Sequence, residues 1–150
     1  MRWLVLGLLA CAGSPPPRAL QNRVTDKELD VPITDGSWKL FGHARLSPSA
    51  IQLELCTGGV SSAQSHIEVP AGVWELRAEH TNTNCMTGTE LRAKHGSELL
   101  AWVVLSSAKG AAEAKLVLAE RTDVEIDIGA FGDASCCGTT VVRAITFAQL

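Results

Sequence analysis

The sequence predicts an all-β fold, an antiparallel β-sandwich behind a disordered N-terminal signal and tether. Three observations carry this. Short segments alternate apolar and polar residues with a period of two, the period of a half-buried strand. Glycine, proline, serine and asparagine interrupt those segments about every 8–12 residues, the spacing of turns in a sandwich. About 120 residues follow the N-terminal stretch, enough for one domain with its own core.

The elements follow in order. Ala50-Ile51-Gln52-Leu53-Glu54-Leu55 alternates. So does Gly72-Val73-Trp74-Glu75-Leu76-Arg77-Ala78-Glu79-His80, with Trp74, Leu76 and Ala78 on one face. Thr122-Asp123-Val124-Glu125-Ile126-Asp127-Ile128 is the cleanest segment. Its Val124, Ile126 and Ile128 point one way, and Asp123, Glu125 and Asp127 the other. Leu99-Leu100-Ala101-Trp102-Val103-Val104-Leu105 is a continuous apolar run, which reads as a strand covered on both faces. Residues 141–150 are rich in β-branched and apolar types and are expected to close the sheet. Residues 107–120 stay open. Their Ala, Glu and Lys content favours a helix, while Lys115-Leu116-Val117-Leu118 equally suits a strand.

The first ten residues are read as an export signal. Met1-Arg2 opens a short apolar run, Trp3-Leu4-Val5-Leu6-Gly7-Leu8-Leu9-Ala10, with small residues after it. That run is too short to span a bilayer, which takes about 20 apolar residues. Leu8-Leu9-Ala10-Cys11 resembles the lipobox of bacterial lipoproteins. The resemblance implies that Cys11 is acylated and becomes the first residue of an exported, membrane-tethered chain. A plain signal cut near Ala12-Gly13-Ser14 is the alternative. Residues 11–30 carry Pro15-Pro16-Pro17 and then a polar, charged stretch, as expected of a stiff, solvated tether. The sandwich domain is placed at 31–150.

Without Cys11 four cysteines remain: Cys56, Cys85, Cys136 and Cys137. An even number in an exported chain implies disulfides. A bridge between the adjacent Cys136 and Cys137 strains the peptide link between them and is the least favoured pairing. If the strand ending near His80 runs antiparallel to the closing strand, Cys85 can reach one member of that pair and Cys56 the other. Each bridge is worth roughly 2–4 kcal/mol. A zinc site of Cys85, Cys136, Cys137 and a histidine is the rival, but it has no Cys-x-x-Cys pair.

The formal net charge of -3 is scattered, with no basic patch interleaved with aromatics, so no nucleic-acid partner is expected. His43, His66, His80 and His95 are far apart. Neither a His-Glu-x-x-His nor a Gly-x-Ser-x-Gly string occurs. His80 reads as a rim residue, the other three as solvated. Asp123, Glu125 and Asp127 could supply paired carboxylates, but they form the outer face of a strand. No catalytic residue and no cofactor is expected.

Val69-Pro70-Ala71-Gly72-Val73-Trp74-Glu75-Leu76-Arg77-Ala78 resembles a strand of galactose-binding-like jelly rolls. That group includes many carbohydrate-binding modules. Trp38, the Ser61-Ser62-Ala63-Gln64 stretch, Thr89-Glu90-Leu91-Arg92-Ala93-Lys94 and the Asp123 strand fall in matching order. The resemblance implies a jelly-roll sandwich and a glycan ligand. The family's calcium-binding acidic pair falls on Arg143 and Ala144, which lack the oxygen ligands calcium needs, so no metal is expected. Its sugar sites use exposed aromatic rings. The chain has no Tyr. Trp74 and Trp102 are read as core, leaving Phe131 and Trp38 as loop candidates.

Two binding readings and a weaker catalytic one follow. The first is a non-catalytic module on a cell envelope that binds a glycan or cell-wall ligand through the loop end bearing Asn82, Asn84, Phe131 and Asp133. Amide and carboxylate groups there would bond sugar hydroxyls beside a ring. The alternative is a structural or assembly lipoprotein that contacts another envelope protein. A small enzyme of unrecognised type ranks last. An aromatic-rimmed face favours the first, a flat apolar patch the second, and a cleft gathering carboxylates or a perturbed histidine the third.

Overall fold

The computed structural model of the chain describes residues 28–34, 36–56, 59–83, 88–106, 109–131 and 137–150. The signal, Cys11, nearly all of the tether, Asn84, Cys85, Asp133 and Cys136 lie outside them. Among the described residues there are eleven strands: β1 (Glu28–Asp30), β2 (Lys39–Phe41), β3 (Ala44–Ser47), β4 (Ala50–Leu55), β5 (Val60–Val69), β6 (Gly72–Asn82), β7 (Thr89–His95), β8 (Glu98–Val104), β9 (Lys109–Leu118), β10 (Thr122–Phe131) and β11 (Gly138–Gln149). They form two antiparallel sheets. One runs β3-β4-β11-β6-β9, with β1 also on β11; the other runs β2-β5-β10-β7-β8.

The alternation read from the sequence decides which side chains meet between the sheets. Ile51, Leu53, Trp74, Leu76, Ile145 and Phe147 come from one sheet, and Val69, Leu91, Val124, Ile126 and Ile128 from the other. Each such aliphatic side chain contributes roughly 1.5–3 kcal/mol by leaving water. The Pro-Ala-Gly-x-Trp stretch works as a unit. Pro70 and Ala71 turn the chain, and Gly72 takes a φ of +147°, which favours glycine. The buried Trp74 indole then donates from Nε1 to the Pro70 carbonyl at 2.9 Å. A Cβ on Gly72 would crowd that same indole nitrogen at 3.3 Å.

Four expectations are resolved or corrected here. The open segment is a strand, β9, paired along its whole length with β6. The apolar run at 99–105 is not covered on both faces: β8 is the edge of the five-stranded sheet. A bulge opposite Ala93 and Lys94 takes up Leu100, after which Ala101 and Leu105 point in while Leu99 and Trp102 point out. Trp38 lies in the loop before β2, as expected, but it offers no exposed ring. It is buried, and its Nε1 donates to the Pro32 carbonyl at 2.8 Å. His80 sits on the inner face and is buried rather than at the rim.

Candidate functional site

Two regions could hold a ligand: the loop end that the sequence points to, and the open face of the five-stranded sheet. At the loop end, β6 and β11 run antiparallel, and Asn82 stands opposite Thr140. Cys56, just past β4, is bonded to Cys137, just before β11, with Cα atoms 4.2 Å apart. Asn82 belongs to a hydrogen-bond relay. Thr140 Oγ1 donates to Asn82 Oδ1 at 2.8 Å. Having given its only proton there, Thr140 must accept from Thr89 Oγ1, 2.6 Å away. The Asn82 amide in turn donates to the Leu105 carbonyl. Thr89 belongs to one sheet and Thr140 to the other, so the relay ties the two sheets together at this end. Asn82 thus has a structural task whatever else it does. Phe131 ends β10, opposite Val60.

The open sheet face is built from strand register. Gln64, Asp127, Arg92 and Trp102 lie in one row across β5, β10, β7 and β8, with Lys39 of β2 extending it. A parallel row holds His66, Glu125, Lys94 and Leu99. At about 4.8 Å between strands, the five-strand row spans roughly 19 Å and the four-strand row roughly 14 Å. The Trp102 side is the more contoured: Glu90, Arg92, Lys94, Leu99 and Trp102 line a depression of about 340 Å³. Trp102 is 52% exposed.

The charges on this face hold one another in place. Lys94 Nζ bonds Glu125 Oε1 at 2.9 Å and Asp127 Oδ2 at 3.1 Å. The hydrogen bond to Glu125, followed by that to Asp127, raises the Lys94 ammonium above its ordinary 10.5. Arg92 is ion-paired with Glu90 on its own strand. His66 reaches Asp123 Oδ2 at 3.2 Å from Nδ1. Partly exposed pairs of this kind add little stability. Their effect is positional, since they fix donors and acceptors on a rigid sheet beside the indole ring. Among the described residues no group of three or more His, Cys, Asp or Glu side chains could hold a metal ion.

Trp102 was missed in the sequence because an apolar run has no period to tell an inward ring from an outward one. The bulge at Leu100 sets its direction, and nothing in residues 99–105 announces that bulge.

No protein-family model matches the chain, and no curated protein matches it. Solved structures do. A family two carbohydrate esterase from Cellvibrio japonicus aligns with a TM-score of 0.55 at 10% identity, over 83% of this chain and 34% of that one. The chain therefore spans about a third of the esterase's length. The module TmCBM61, in complex with beta-1,4-galactotriose, aligns with a TM-score of 0.51 at 14% identity, over 84% of this chain and 90% of that one. At these identities the likeness is one of fold. The chain shares the antiparallel sandwich fold of that carbohydrate-binding module, in keeping with the jelly-roll sandwich that the Pro-Ala-Gly-x-Trp strand implied.

Proposed function

We propose that the chain is a non-catalytic glycan-binding module whose ligand lies across the open face of the five-stranded sheet and stacks on Trp102. The half-exposed indole carries this reading. A pyranose ring has an apolar C–H face and a rim of hydroxyls. Trp102 offers a flat apolar surface to the first, while Arg92, Glu90 and Lys94 offer fixed donors and acceptors to the second. Covering about 100 Å² of indole is worth roughly 2–3 kcal/mol, enough for a weak and reversible contact when hydrogen bonds are added. The fold shared with TmCBM61, solved with beta-1,4-galactotriose, supports the ligand class.

The same reading takes residues 1–10 as an export signal and Cys11 as the point of lipid attachment, with 11–30 holding the module off a membrane. The Cys56–Cys137 bridge suits such an oxidising compartment. Fluorescence titration tests the binding claim. Trp102 is the exposed tryptophan among three in the domain, since Trp38 and Trp74 are buried. A bound neutral oligosaccharide should therefore blue-shift the solvent-exposed part of the emission. An unchanged spectrum across a panel of galactan, xylan and peptidoglycan fragments would count against the proposal and favour a protein partner in the envelope.

A further inference from the structure

The closing strand is interrupted at Arg143. Val142 faces His80 and Ala144 faces Glu79, so Arg143 is the extra residue of a β-bulge on the sheet opposite Trp102. Bulges re-aim side chains, and here the exposed guanidinium donates from Nη1 to Thr81 Oγ1 at 3.1 Å. Thr81 is itself paired with Lys109 at the start of β9. Two cations therefore flank one hydroxyl. Beside them Gly110 and Ala111 bring little side chain, and a cavity of about 490 Å³ opens, with Glu79 also on its wall.

Four of the nine Lys and Arg side chains among the described residues are ion-paired. Arg77, Arg92, Lys94 and Arg121 each have a carboxylate partner. Among the described residues neither Arg143 nor Lys109 forms an ion pair, although both border the same cavity. Glu79 lies two residues along β6 from Thr81, roughly 7 Å at strand rise. One end of the cavity thus presents two positive donors, Arg143 held by its bond to Thr81 and Lys109 beside it in register, and the other a carboxylate acceptor. A simple inorganic anion would use only the first end. A sugar acid would use both, its carboxylate or sulfate on Arg143 and Lys109 and a ring hydroxyl on Glu79.

We infer that the Arg143 cavity is a second binding site, on the sheet away from Trp102, for an acidic sugar bearing a carboxylate or sulfate group. It borrows only the ligand class from the glycan reading. The full-length domain is titrated with oligogalacturonate, with a sulfated galacto-oligosaccharide and with neutral beta-1,4-galactotriose, using Arg143→Gln, Lys109→Gln and Trp102→Ala proteins in parallel. All three substitutions are at exposed positions, and melting curves confirm folding. Binding of one acidic probe should weaken about tenfold for each cation removed. It should also weaken as ionic strength rises from about 0.02 to about 0.2 M. Trp102→Ala should leave it unchanged. Which acidic probe binds separates a carboxylate from a sulfate ligand. Absence of acidic binding in the wild type, or equal affinity in the Arg143→Gln and Lys109→Gln proteins, overturns this site. Neither result bears on the Trp102 face, which the neutral probe reports.

Discussion

Trp102 stands directly opposite Arg92 across the β7–β8 ladder, with both side chains on the open face of the sheet. A sugar ring laid on the indole would have the Arg92 guanidinium at its edge, already held by Glu90. Aromatic and arginine side chains are the groups that most often dominate binding energy at an interface. Replacing Arg92 by Gln should weaken glycan binding several-fold and shift the melting temperature little, because its ion pair is partly exposed. Calorimetric titration beside a thermal melt separates the two effects.

Trp74 is expected to behave in the opposite way. It is fully buried and hydrogen-bonded to Pro70. Trp74→Ala should cost about 3–5 kcal/mol of folding stability through lost packing and a cavity. A urea midpoint shifted by much less would mean that this end of the core repacks.

The Cys56–Cys137 bridge closes a loop with a sequence separation of 81. A loop of that length should add about 4 kcal/mol by restricting the unfolded chain. Cys56→Ser with Cys137→Ser should therefore lower the melting temperature markedly, and added reductant should have a smaller effect on the variant than on the parent. Equal melting of the two proteins would show that the bridge contributes no stability.

Asn82 tests the relay between the sheets. Asn82→Asp keeps the acceptor for Thr140 but removes the donor to Leu105. Leaving that carbonyl unsatisfied should cost about 1–3 kcal/mol, read as a lower denaturant midpoint. If the variant is as stable as the parent, the relay is not a structural tie.

Much of this architecture was legible in the residues. Asp123 to Ile128 alternates cleanly because β10 is the central strand of its sheet, with one face on the core and the other open. Val69 to Ala78 was legible because a turn, a glycine and a core tryptophan must occur together there. The Trp102 face was not, since its placement depends on a bulge and on β8 being an edge strand, both set by pairing with β7. Burial of Trp38 was hidden for a similar reason. The Pro32 carbonyl that holds its indole is set by the path of the chain after β1, not by the local sequence. Asn82 stands beside the closing strand because β6 and β11 pair antiparallel, the condition left open in the sequence, and its bonds to Leu105 and Thr140 arise only once distant strands meet.

The Lys94 cluster gives a pH dependence with a definite sign. Hydrogen bonding to Glu125 and Asp127 raises the ammonium above 10.5 in the folded state. A raised lysine contributes stability fully below 10.5 and loses it as pH climbs through the folded value. The stability difference between the parent and Lys94→Met should therefore be constant from neutral pH to about 9 and shrink above about 10.5. A gap that stays constant across that range would mean the cluster is not coupled to folding.

The most direct measurement is calorimetric titration of the parent and Trp102→Ala proteins with the soluble neutral polysaccharides that the parent retains on affinity electrophoresis. The expected result is saturable binding by the parent and a loss of at least about tenfold in the variant, with melting temperatures within a few degrees. Undiminished binding by Trp102→Ala, or no retention of the parent by any polysaccharide, would contradict a glycan site on this face.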